Sequence, residues 1–163
     1  MKIVKSSKLH ASSKYLIIIF GLGNLMGCFM LAACTSKSSK ETSPKFQQYY
    51  VQGEQLYLTH CSNCHQKDGR GLGLLYPPLD TSDYMQHNLE DVLCLMRNGK
   101  NGELIVNGKG YNQAMPGITA LSDLEIAEIA TYIYNSWSHN YGIVDVKLTS
   151  KILSSCDTLK NFP

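Results

Sequence analysis

The chain has 163 residues, room for one domain and an end segment, and its 44% hydrophobic and 17% charged residues are the balance of a globular protein. The net charge of +2 averages unlike parts: Lys2, Lys5, Lys8 and Lys14 crowd the start, whereas Phe46 to Trp137 carries 5 basic against 10 acidic residues. A mildly acidic domain has no electrostatic footprint for nucleic acid, so no nucleic-acid partner is expected.

The four lysines precede an apolar run, YLIIIFGLGNLMGCFML, which closes in the small residues of LAAC at 31–34. That order is the one an export signal uses. The segment resembles the lipobox of bacterial lipoproteins, which implies cleavage after Ala33 and a lipid on Cys34. A retained membrane anchor is the alternative, since the run from Leu16 to Ala33 is about the length of a span. Either way the remainder is expected outside the cytoplasm, attached to a membrane. Residues 34–45 contain TSKSSKETSPK, polar throughout, and are expected to form a flexible tether.

From Phe46 the pattern becomes helical. Tyr50, Gly53, Tyr57 and Cys61 recur on one face. A glycine inside such a helix costs stability and marks a place where another helix comes close. Immediately afterwards stands CSNCH, with Cys61, Cys64 and His65. Three chemistries use such a stretch: half a zinc site, a dithiol redox pair, and the covalent attachment of a haem, whose pattern is C-x-x-C-H. Zinc would need two more ligands at a suitable spacing, and no second C-x-x-C or H-x-x-x-H exists. A thioredoxin-like pair would sit in a βαβ setting, and these flanks read as helical.

QKDGRGLGLLYPPLDTSDY follows as a glycine–proline loop. NLEDVLCLMRNG predicts a short helix with Asn88 as cap, Gly99 as stop and Leu89, Val92, Leu93 and Met96 on one face. A glycine-rich stretch containing LIV and AMPG comes next. The clearest helix is LSDLEIAEIATYIYNSW: Ser122 caps it, Glu125 completes a capping box, and Ile126, Ile129, Ala130, Ile133 and Trp137 form the buried stripe of a helix over 123–137. VDVKLTSKILSSC predicts a short terminal helix within the extension 141–163.

Of the six cysteines, Cys28 lies within the signal, Cys34 is the lipid site, and Cys61 and Cys64 belong to the hook. Cys94 and Cys156 remain. In an oxidising compartment leftover thiols tend to pair, which would staple the terminal helix to the middle one; otherwise Cys94 is a small buried core residue.

CSNCH, AMPG at 114–117, the helix SDLEIAEIATYI and the loop GLGLLYPPL together resemble class I c-type cytochromes, small single-haem electron carriers, over roughly Phe46 to Trp137. The resemblance implies an all-α fold, with three main helices and loops wrapped around one covalently attached haem c and a short C-terminal helix, in a domain spanning 46–140. It implies thioether attachment through Cys61 and Cys64, His65 as one axial ligand of the iron and Met115 as the other, and a Pro77 carbonyl (or that of Pro78) holding the second nitrogen of His65. Met85 is the serious rival to Met115; Met96 fits a helix core. His60, His87 and His139 read as solvated surface residues. Gly53 and Tyr57 match the family's first-helix pair, crossed by Ile129 and Tyr132, and Tyr111 and Trp137 are candidate neighbours of the haem propionates. The expected protein is a lipid-anchored periplasmic electron carrier, a monomer rather than an enzyme, without a small-molecule substrate. Its partners are a redox donor and acceptor. A fixed subunit of an oxidoreductase complex is the alternative, as is a ligand-binding or peroxidase-like haem protein if Met115 does not ligate.

Overall fold

Ser43 begins the part of the chain that the computed structural model describes, residues 43–156. The expected export signal with its lipid site Cys34, most of the expected tether and the last seven residues lie outside it. Ser43 accepts from the Phe46 N–H and Pro44 follows at the first helical position, so helix α1 (Pro44–His60) starts with its orphan donors covered. A single turn, α2 (Ser62–His65), continues from it. After a loop come α3 (Asp83–His87) and α4 (Leu89–Asn98). Four short strands follow: β1 (Gly99–Lys100), β2 (Leu104–Val106), β3 (Lys109–Tyr111) and β4 (Met115–Pro116). Helices α5 (Asp123–Ile133) and α6 (Val146–Leu153) complete the described residues. No helix among them is long and apolar enough to cross a membrane. The chain is helix-rich, in keeping with the expected class.

The core forms where α1 crosses α5. Tyr57, Ile126 and Ile129 are buried there, and Tyr57 and Tyr132 meet with ring centroids 5.3 Å apart. Gly53 is the contact point: a Cβ at that position would lie 2.6 Å from the carbonyl carbon of Glu128 and 2.9 Å from Cβ of Tyr132. Only a residue without a side chain lets the two backbones approach so closely.

The strands are small but consequential. β2 and β3 pair antiparallel through a turn at Asn107 and Gly108, both at positive φ, the asparagine–glycine signature of a tight hairpin. β1 pairs with β4, setting Met115 opposite Lys100. Gly99 (φ 78°) makes that pairing possible, because a side chain there would crowd the backbone of Gly117.

Three expectations need correction. Helix α5 ends at Ile133, four residues before the expected end. Asn135 donates to the Thr131 carbonyl (2.7 Å) and Ser136 to that of Tyr132 (2.7 Å), so side chains take the carbonyls that further helical N–H groups would have used. Trp137 therefore belongs to no helix and sits at φ 54°. Asn88 stands at the N-cap of α4 but makes no side-chain capping bond; its amide donates back to the Tyr84 carbonyl (2.8 Å). Met85 lies in α3, 2% exposed, rather than in an open loop.

Cys94 and Cys156 are joined by a disulfide, with Cα atoms 5.5 Å apart. It ties the end of the α6 segment to α4. Asp145, which caps α6 at the Lys147 N–H, also pairs with Lys45 on α1 (2.5 Å). Buried Val144 donates its N–H to Thr131 Oγ (3.0 Å). The described segment 144–156 is thus held at both of its ends.

Candidate haem site

The hook is a change of helix direction. The N–H of Cys61 still bonds to the Tyr57 carbonyl, closing α1, while the carbonyl of Cys61 accepts from the N–H groups of Cys64 (3.1 Å) and His65 (3.0 Å), opening α2. One turn therefore presents both cysteines and the histidine. Gln66, at φ 63°, stops the turn, and Tyr57 Oη fixes that residue by donating to its carbonyl (2.6 Å). Sequence reading found Tyr57 as a core residue; its hydroxyl, which locks the exit of the hook, has no periodic signature.

His65 is held from behind. Its Nδ1 lies 3.0 Å from the Pro77 carbonyl oxygen. A carbonyl can only accept, so Nδ1 carries the proton and Nε2 keeps a free lone pair. Burial lowers the His65 pKa, against a smaller raising effect of the Pro77 bond, and so favours the neutral imidazole that a metal requires. The loop that brings Pro77 back is tightly wound. The Gly71 N–H donates to the His65 carbonyl (3.0 Å), and those of Leu79 (2.7 Å) and Asp80 (2.9 Å) both donate to Gly69. Gly71 is at φ 67°, and a Cβ there would fall 2.6 Å from the Pro77 carbonyl oxygen.

In front of His65 lie two adjoining clefts. His65, Pro77, Leu95, Leu104 and Met115 line both, so these are two halves of one slot. Cys61 lines the first half and Cys64 the second. The walls of the first half are almost wholly apolar and those of the second, which include Lys100 and Gln113, mostly so, which suits a large flat hydrophobic group with a more polar edge. Leu104 and Val106, alternate residues of β2, both face the first half. The LIV run was visible in the sequence; that it forms a wall follows only from the Asn107–Gly108 hairpin.

Met115 is half-buried on β4, and its loop is pinned to α4 by the Ile118 N–H bond to the Met96 carbonyl (2.9 Å). Met85 and Met96 line the first half of the slot as well. His60 and His87 are exposed and line neither half. His139 is not a solvated surface residue, because its Nε2 bonds to the Leu79 carbonyl (2.8 Å). Trp137 packs edge-on against Tyr57 (5.6 Å) and closes over Gly69, while Tyr111 is buried in the second half of the slot.

The two hook thiols are free and half-buried. Burial, with a smaller contribution from Cys64, pushes the Cys61 thiol up to about 12. A dithiol oxidoreductase needs the reverse, a cysteine whose thiolate is stabilised. Among the described residues no cluster of three or more histidine, cysteine and acidic side chains could hold a metal ion by itself. The donor set present, one neutral imidazole with a free nitrogen, a thioether lining the same slot and two thiols on one turn, fits a covalently bound haem.

Comparison with known proteins agrees. The family described as "Cytochrome C oxidase, cbb3-type, subunit III" matches residues 50–133, just over half of the chain. The chain therefore belongs to this family of c-type cytochromes, and its cofactor is covalently bound haem c. It is similar to cytochrome c-552 of Thermus thermophilus, 29% identical over 89 residues, which are 52% of this chain and 67% of the relative. It is also similar to the cytochrome c subunit of the quinone alcohol dehydrogenase of Gluconobacter oxydans, 30% identical over 91 residues, which are 54% of this chain but 19% of that subunit.

Proposed function

We propose that this chain is a class I one-electron carrier, with Cys61 and Cys64 bonded to a single haem and with His65 and Met115 as the axial ligands. The observation that carries this reading is the slot: His65 and Met115 line both of its halves, and one hook cysteine opens onto each. Haem c, when bound, supplies the one-electron ferrous–ferric couple. The protein does the rest. Pro77 keeps the proton on His65 Nδ1, so the imidazole offers Nε2 in a fixed orientation. Met115 offers a neutral, polarisable sulfur, a donor that tolerates both oxidation states and raises the potential. Leu95, Leu104 and Val106 keep water from the slot. If His65 and Met115 both held the iron, no site on it would be left for a substrate, which is why we read the chain as a carrier rather than an enzyme.

The test is the optical spectrum of the protein exported from a host that matures haem c. A low-spin covalent haem with a methionine–iron charge-transfer band is expected. Met115→Ala should abolish that band, lower the potential and let small ligands bind the ferrous form. A Met115→Ala spectrum and potential identical to wild type would move the sixth position to Met85 or a histidine instead.

Localisation and partners extend this reading. We place the haem domain, residues 46–140, outside the cytoplasm, in the periplasm of a bacterium, tethered through lipid on Cys34 by the segment 34–45. Labelling with a radioactive fatty acid should mark the wild type and not Cys34→Ala; equal labelling would remove the anchor. The donor and acceptor are read as a respiratory or dehydrogenase partner. The relative that is a dehydrogenase subunit favours a second reading, a cytochrome fixed in an oxidoreductase complex. Stoichiometric co-purification with an enzyme from membranes would favour that second reading; purification alone would favour the mobile carrier.

A further inference from the structure

Residues 134–139 lie beyond the stretch that matches the family, which ends at 133. Of these, Trp137, Ser138 and His139 all reach one loop, the one that returns Pro77 to His65. Nε2 of His139 lies 2.8 Å from the Leu79 carbonyl and, facing an acceptor, carries its proton there. Ser138 donates from its hydroxyl (2.6 Å) and its N–H (3.2 Å) to Asp80 Oδ1. Its hydroxyl oxygen accepts from the Thr81 N–H (3.2 Å). Tyr134 Oη donates to the Met85 carbonyl (2.9 Å). Trp137 takes a positive φ, rare for so large a residue, and lays its ring where any Cβ on Gly69 would be 2.8 Å from it. Gly69 in turn accepts from Leu79 and Asp80.

These bonds make a closed circuit: the hook to Gly69, Gly69 to Leu79 and Asp80, those to Ser138 and His139, and Trp137 back over Gly69. Pro77 sits two residues from the clamped carbonyl of Leu79. Four bonds and a strained tryptophan are more than a surface loop needs in order to stay folded, and they converge on the segment that holds the Pro77 oxygen against His65 Nδ1.

We infer that Ser138 and His139 are positioning residues for the axial histidine: they clamp the 77–81 loop, set the strength of the Pro77–His65 bond, and through it the electron donation of His65 to the iron. The inference rests on the ligand reading proposed above. A firmly held carbonyl draws on the Nδ1 proton and makes Nε2 a stronger donor, which favours the oxidised iron. A loosened carbonyl should favour the reduced form.

The experiment uses the full-length, haem-loaded protein and the variants His139→Ala, His139→Gln and Ser138→Ala, with reduction potential and melting temperature measured on each. Both alanine variants should shift the one-electron equilibrium toward the reduced form by roughly threefold to tenfold, the latter being about 59 mV. His139→Gln, whose amide can still donate to Leu79, should recover most of the shift. Potentials equal to wild type in both alanine variants, with melting temperature lowered, would overturn the clamp, because a merely structural role moves stability alone. An unrecovered potential in His139→Gln would overturn it too. If His139→Ala fails to mature, Ser138→Ala decides. A wild-type spectrum without a histidine-bound low-spin iron would overturn the ligand reading and the clamp together, whereas a normal wild-type spectrum with unmoved variants overturns the clamp alone.

Discussion

Glu128 is an acidic residue in the core face of α5, only 5% exposed, and burial raises its pKa, with a smaller contribution from the Glu125 carboxylate one turn before. A carboxyl whose folded pKa lies above its unfolded value binds more protons when folded, so stability falls as pH rises from the ordinary glutamate value through the folded one. Asp80 and Glu125 have the opposite sign: hydrogen bonds from Ser138 and from Ser122, respectively, lower them, and they stabilise the fold above the ordinary carboxylate range. Glu128→Gln should therefore match wild type in acid and become the more stable protein as pH rises toward neutrality. Urea denaturation at several pH values checks this, and a stability difference that does not change with pH would refute it. Of these residues only Glu125 had a role readable from sequence, through the spacing of the capping box at Ser122. Glu128 falls between periodic positions, and nothing local marks it as buried.

The crossing of α1 and α5 is the element-scale feature on which the site depends, since Tyr57 at that crossing also locks Gln66 and so the exit of the hook. Gly53→Ala tests it. Alanine improves helix propensity by about 1 kcal/mol, but its Cβ meets backbone rather than a flexible side chain. Overpacking of that kind costs about 3 kcal/mol, so a net loss of about 2 kcal/mol is expected in thermal or denaturant unfolding. An alanine variant as stable as wild type would show that the helices can part freely. The helices themselves were legible because α1, α4 and α5 repeat apolar residues at helical spacing. The end of α5 was not: Trp137 has the right spacing for its stripe, yet Asn135 and Ser136 capture the terminal carbonyls and the tryptophan finds its contact on Gly69 instead. Of the β2–β3 hairpin the sequence reading picked out only the LIV run, and the asparagine–glycine pair at its turn went unread among the glycines.

For the whole molecule, the tail acts as a clasp. The disulfide between Cys94 and Cys156 spans 62 residues and, with the Lys45–Asp145 pair, binds α6 to α4 and α1. Closing a loop of that length removes denatured-state entropy worth about 4 kcal/mol. The double variant Cys94→Ser/Cys156→Ser should lose on the order of 3–4 kcal/mol of stability while keeping its haem, because Cys61, Cys64 and His65 lie elsewhere. Denaturant midpoints and haem content measure the two separately; a loss below about 1 kcal/mol would mean that packing of Val144, Thr149 and Ile152 already holds the tail. By itself the sequence determined the chemistry and the main helices. Two thiols and an imidazole must share one turn to serve one haem, and a 3.6-residue repeat must bury one face, so both leave marks at short range. Only the tertiary structure decided which carbonyl holds His65, which residues wall the slot and what the tail clamps. Those depend on backbone atoms, which are alike at every residue, brought together across tens of positions by loops whose path glycines at positive φ permit but no local pattern spells out.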